Sequence, residues 1–253
     1  MTRKLVLTLA VASCLIQSTI LNAQPKDRSQ KPNSSTQIST GKGRRFVPPS
    51  LGDIEAPTGR RKGAASRTGL GTCSPQASNI TALVPETQKN KPLGLTVAQY
   101  PTFWVFIPDL PREVSSAEFV LQDKEDRDLY RTAVDLPATS GIIGIDLPHL
   151  PEHSLAIDKS YRWTFRILCN RQNPSYNVSV DGIVMRVARN DNRYNDENIW
   201  YDILTNVAIN RLAAPENIQF QDEWAELMKQ ISLEELTQTK LKYQDQSQLP
   251  ARI

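Results

Sequence analysis

Three groups of residues in this 253-residue chain have types and spacings that could do chemistry. His149 and His153 are its two histidines, and their i, i+4 spacing would suit a metal on a helix. Pro148 and Pro151 prevent a regular helix there, so a surface loop is expected and no metal site is assigned. Asp123, Glu125, Asp126 and Asp128 form the densest acidic cluster. Carboxylate oxygens could hold Ca²⁺, but the turn glycine and closing glutamate of an EF-hand are missing, and Lys124 and Arg127 offset the charge. A solvated hairpin turn is expected instead. Tyr100, Trp104 and Trp163 could form a sugar platform, although their strand spacing makes them core residues first. A carboxylate pair for glycoside hydrolysis stays open, because separation in space is not legible in a sequence. No Gly-x-Ser-x-Gly turn, phosphate loop or dinucleotide fingerprint occurs. No catalytic residue and no cofactor is assigned.

The cations suggest binding rather than catalysis. Between Gln24 and Thr72 there are ten basic and three acidic residues, whereas from Cys73 onward there are 18 basic and 24 acidic. The net charge of +3 therefore hides a basic arm on an acidic body. Lys42, Arg44, Arg45, Arg60, Arg61, Lys62 and Arg67 are the candidate contacts to an anionic surface, either lipid headgroups or acidic envelope polysaccharide. The alternative is a solvated tether. An envelope protein is the other partner class. Nucleic acid is not expected, since aromatics do not interleave with the cations and the chain reads as exported. The sequence does not specify an oligomeric state.

Export rests on Arg3 and Lys4 followed by the apolar run Leu5 to Leu21, with Leu21-Asn22-Ala23 as a cleavage site before Gln24. A lipoprotein signal ending at Cys14 is the alternative, opposed by the apolar residues that continue after it. The expected location is the periplasm or the extracellular face of the envelope. Without Cys14 an even pair remains, Cys73 and Cys169, which suggests one disulfide. Two unpaired thiols are the alternative.

Seven strands are expected to build the body: 80–84, 102–107, 116–122, 128–134, 142–147, 160–168 and 177–187. The prolines between them fall outside strand interiors. Tyr161, Trp163, Phe165 and Ile167 alternate with Arg162, Thr164 and Arg166, so one face of that strand is buried and the other wet. Leu155, Asp158 and Tyr161 look like the tyrosine corner of immunoglobulin-like sandwiches. In 102–107, Phe103, Val105 and Ile107 share one face while Trp104 and Phe106 occupy the other, so the sheet needs cover outside as well. Helical stripes follow. Trp200, Ile203, Leu204, Val207 and Ala208 form one, behind Asn195 or Asp196 as cap; Phe220, Trp224, Leu227, Met228 and Ile231 form the next. Ser232 to Glu235 has capping-box spacing for a third, short helix. These stripes either pack on the sandwich or leave a groove for a partner helix.

The expected fold is mainly β, an immunoglobulin/fibronectin-like β-sandwich with a short C-terminal α-helical hairpin. The expected division is a signal peptide at 1–23, a disordered basic linker at 24–72, a β-sandwich at 73–190, helices packed on it at 191–241 and a flexible tail at 242–253.

Several blocks carry a resemblance to a known family. They are Gly59-Arg60-Arg61 through Ser66-Arg67, Leu83-Val84-Pro85, Leu93-Gly94-Leu95-Thr96-Val97, Tyr100-Pro101-Thr102-Phe103-Trp104, Ala117-Glu118-Phe119-Val120-Leu121, Tyr161-Arg162-Trp163 and Ile199-Trp200-Tyr201-Asp202. In this order they resemble the exported cyanobacterial family catalogued as domain of unknown function 928, over about Gly59 to Leu236. Asn198 stands where that family typically has glycine. The resemblance implies an exported β-rich domain with a helical end, and it transfers no activity, cofactor or site residue.

Overall fold

The computed structural model describes residues 45–49, 59–63, 75–86, 91–170 and 174–243. The chain divides into two units, 1–40 and 41–253, and every described residue lies in the second. The expected signal segment and the tail beyond Tyr243 lie outside the described residues.

Among the described residues, nine strands form two sheets. They are β1 (Thr81–Ala82), β2 (Leu93–Thr96), β3 (Thr102–Ile107), β4 (Ser116–Gln122), β5 (Asp128–Asp135), β6 (Gly141–Asp146), β7 (Ser160–Ile167), β8 (Val178–Arg186) and β9 (Leu241–Tyr243). One sheet runs β1-β3-β6-β9 and the other β2-β8-β7-β4-β5. Most neighbours are antiparallel, but β2 lies parallel to β8, and β9 parallel to β6. Seven strands fall within two residues of the expected ends. The two parallel additions, β2 and β9, are four and three residues long, too short to show a period of their own.

Aromatic rings hold the sheets together. Phe103 of β3 lies 5.0 Å from Phe119 of β4 and 5.5 Å from Trp163 of β7, centroid to centroid. Such pairs add about 0.5–1.5 kcal/mol beyond the apolar area they bury. Opposite Trp163 stands Gly182 of β8, where any Cβ would collide with the indole. The tyrosine near the start of β7 turns back as the Leu155–Tyr161 pattern suggested, and its hydroxyl accepts from the Ala156 N–H at 3.0 Å.

Helix α1 (Trp200–Ala213) covers the outward face of β3, where Trp104 Nε1 donates to Thr205 Oγ1 at 3.1 Å. Helix α2 (Ile218–Gln230) is capped by Asn217, whose side chain accepts from the Gln219 N–H at 2.9 Å. Its far end differs from expectation. Ser232 does not open a third helix; it terminates α2 in the left-handed region, at φ 56°. The Ser232 N–H reaches back to Lys229 O and the Leu233 N–H to Met228 O, the two bonds of a Schellman termination. Only a short 3-10 turn, Glu234–Leu236, follows.

Two pieces of the segment read as disordered are packed. Phe46 is buried edge-on against Trp200, 4.8 Å between centroids, and its N–H donates to Gln230 Oε1 at 2.7 Å. Around residue 61 the chain borders β1, with the Ala82 N–H bonded to Arg61 O and the Gly63 N–H to Ile80 O. Aperiodic composition hid both, because one aromatic and one arginine suffice to anchor a strap that contributes no regular element of its own.

Candidate functional site

The first turn of α1 joins the two sheets. A 3-10 turn, Asp196–Asn198, leads into it, with the Asn195 side chain accepting from the Glu197 N–H and the Asn198 side chain from the Asn195 N–H. Three consecutive side chains then reach four different strands or strand ends. Trp200 Nε1 donates to Leu83 O, just past β1, at 2.9 Å. The Tyr201 hydroxyl accepts from Trp163 Nε1 at 2.7 Å and donates to Ile183 O at 3.0 Å. Asp202 Oδ2 accepts from Thr96 Oγ1 at 2.6 Å and from the Val97 N–H at 3.3 Å. Gly94 of β2 makes this approach feasible, since a Cβ there would sit 2.8 Å from the Tyr201 ring and 2.9 Å from Trp200.

Beside this junction is a small cleft with about 50 Å³ of free space, lined among others by Thr96, Tyr100, Thr102, Asp202, Thr205 and Asn206. Three of the blocks that carry the resemblance meet at it, those around Thr96, Tyr100 and Tyr201. Burial pushes the Asp202 carboxyl up from its ordinary value, opposed by its bonds to Thr96 and Val97 and by the charge of Arg189. Burial likewise pushes the Tyr201 hydroxyl far up, so it stays protonated and can donate to Ile183 O. Asp202 is the single carboxyl group among the lining residues. The facing carboxylates of a glycosidase are not brought together in this cleft.

The sequence-predicted candidates are scattered. Trp104 and Trp163 are wholly buried, so neither offers a face to a sugar; Tyr100 is half-buried and stacks on His149 at 4.8 Å. His153 Nδ1–H donates to Leu129 O at 2.8 Å. Among the described residues no three His, Cys, Asp or Glu side chains converge as a metal site would need. The acidic turn is held by arginines: Arg127 on Asp123, Arg162 on Asp126 and Arg131 on Asp128, each at 2.6–2.8 Å.

Of the seven arm cations, Lys42, Arg44 and Arg67 lie outside the described residues, as does Cys73. Arg45 and Arg60 are exposed. Lys62 is exposed and pairs with Glu235 at 3.3 Å. Arg61 is not a surface cation: it is 6% exposed and donates to Ile231 O at 2.8 Å and Ser232 O at 3.3 Å, at the C-terminal end of α2. A cation there satisfies terminal carbonyls and meets the negative end of the helix dipole. Cys169 is half-buried just past β7. Sequence reasoning missed Arg61 as an anchor, and Tyr201 and Asp202 as ties. The one signal for the ties was three polar-capable side chains in a row at a helix start.

The helical stripes are also spent. Trp200, Trp224 and Leu227 are wholly buried, which counts against docking a partner helix through them. Among the described residues no helix is long and apolar enough to cross a membrane. Neither the curated proteins nor the solved structures hold a match to the chain. The family model described as Domain of Unknown Function (DUF928) matches residues 62–241, and the chain belongs to that family.

Proposed function

We propose that this protein is a non-enzymatic binding or assembly module, exported to the periplasm or extracellular envelope, that meets anionic surfaces through its basic N-terminal segment. The observation that carries this reading is the way the segment is rooted. Phe46 and Arg61 are buried anchors, and the residues immediately before them, Arg45 and Arg60, are exposed. Cations beside anchors are presented at fixed places on an acidic body, where they can add to one another instead of roaming on a tether.

The body is read as an immunoglobulin-like sandwich. Supporting this, β1-β3-β6 and β8-β7-β4-β5 follow the order A-B-E and G-F-C-C′, and Tyr161 closes the corner before β7. The Cys73–Cys169 disulfide belongs to the same proposal, as the even pair of cysteines in an exported chain. It would close a loop worth on the order of 4 kcal/mol in the chain-entropy model.

The test is co-sedimentation of the full chain with vesicles containing anionic lipid, and with an acidic polysaccharide, over a range of salt. Each basic residue near such a surface contributes about 1 kcal/mol, so Arg45→Ser with Arg60→Ser is expected to weaken binding about 30-fold. Binding that ignores both substitutions and salt would sink the proposal.

A further inference from the structure

The two sheets have four edges, and among the described residues the longest with no strand or strap beside it is that of β5. Strand β1 is bordered by the strap at Arg61–Gly63, β2 is met at its start by Pro85, whose carbonyl accepts from the Leu93 N–H, and β9 is a three-residue strand. Strand β5 is eight residues long and forms the outer edge of the five-stranded sheet. In an antiparallel pair, alternate residues turn their backbone groups toward the partner. Leu136 N–H donates to Ser115 O in the register that sets Val134 opposite Ala117. The groups of Tyr130, Thr132 and Val134 therefore serve β4, and those of Leu129, Arg131, Ala133 and Asp135 face outward. Leu129 O is already taken by His153. The side chains of Arg131, Ala133 and Asp135 are exposed.

We propose that this edge pairs with the same edge of a second copy, antiparallel about a two-fold axis at Ala133. The open stretch Arg131–Asp135 is centred on Ala133, so this register uses all of it. It places Arg131 opposite Asp135 of the second copy, twice by symmetry, and opposite charges across a pair are favourable. Shifting by one pair toward the start of β5 would need Leu129, whose carbonyl His153 occupies. Shifting the other way would set Arg131 opposite Pro137, which has no N–H to give. Small Ala133 faces its own copy without a clash. The union forms about six backbone hydrogen bonds and one continuous ten-stranded sheet. It does not depend on the basic segment or on any anionic ligand.

Sedimentation velocity on the full chain, in buffer alone, tests this. The expected result is a monomer–dimer equilibrium. Ala133→Pro removes one outward N–H while leaving the bonds to β4, so it is expected to give a folded monomer, with folding checked by circular dichroism. Asp135→Lys sets like charges opposite each other and is expected to weaken association about tenfold, which keeps the proposal testable should the proline variant not fold. For register, Ala133→Cys is expected to form a cross-linked dimer on mild oxidation, because directly opposite residues about 5.5 Å apart are within disulfide reach. Arg131→Cys is expected not to cross-link, its copy lying four residues away along the pair. A wild-type monomer at about 1 mM, a dimer untouched by both Ala133→Pro and Asp135→Lys, or equal cross-linking at both positions would overturn the proposal.

Discussion

Tyr201→Phe isolates the hydrogen bonds that tie α1 to the five-stranded sheet. The substitution removes one oxygen and leaves a ring of the same shape, so the packing against Phe103, 5.6 Å away between centroids, is preserved. What is lost is the acceptor for Trp163 Nε1 and the donor to Ile183 O, both bonds being buried. A buried polar group left unsatisfied costs about 1–3 kcal/mol, and two are created, so the expected loss is about 3 kcal/mol. For a chain of this size that is a fall of about 6–12 °C in melting temperature. Urea unfolding should show a lower midpoint at unchanged slope. A cycle with Trp163→Phe should show coupling of about 1 kcal/mol or more, since each change orphans the other's partner. The alkaline limb gives a second readout. Burial holds the Tyr201 hydroxyl protonated beyond its unfolded value of about 10, so its contribution is complete below that pH and is lost as pH rises above it. The wild type should lose up to about 1.4 kcal/mol per pH unit there from this group, a slope that Tyr201→Phe lacks. A stability loss below about 0.5 kcal/mol, or strict additivity with Trp163→Phe, would refute the role given to this junction.

Two further substitutions probe its neighbours. Asp202→Asn keeps an oxygen to accept from Thr96 and Val97 while removing a charge that burial disfavours. The folded carboxyl sits above its unfolded value of about 3.9, so its contribution is present below that pH and lost as pH rises through the folded value. The variant should therefore match or exceed the wild type at pH 7 and lose that advantage toward pH 4. Urea midpoints across that range decide it, and a variant clearly weaker at pH 7 would mean that attraction to the charge of Arg189 outweighs desolvation. Arg61→Met keeps most of the stem but loses the donors to Ile231 O and Ser232 O; about 2–4 kcal/mol of stability should go with them. Hydrogen exchange should quicken first at the end of α2, and unchanged protection there would count against Arg61 as its anchor.

How much of this was legible depended on whether a feature is periodic. The strands β4 and β7 carry alternation that one face of a sheet imposes, and their bounds follow from residue types. The two-faced strand β3 even announced a cover, which α1 supplies at Trp104. The parallel strand β2 gave no such signal. Its four residues are all buried, with Gly94 set there by the approach of Trp200 and Tyr201, a relation about a hundred residues apart in the chain.

Arg61 shows the limit of reading charge from sequence. Arg60, Arg61 and Lys62 are one basic run in the sequence, yet they have three fates: solvent, the end of a helix, and an exposed pair with Glu235. Composition treats them alike, because a guanidinium is costly to bury in general. The cost is met here by carbonyls at the end of α2, and those carbonyls exist only once the Schellman turn at Ser232 has formed. The middle residue is thus a fold determinant while its neighbours remain available to a ligand. If the basic segment binds an anionic surface, the exposed Arg45 and Arg60 can contribute to the affinity and the buried Arg61 cannot. Replacing Arg61 should lower stability and release the segment, whereas replacing Arg60 should lower binding and leave the melting temperature unchanged. Measuring both quantities on both variants separates the anchor from the contact.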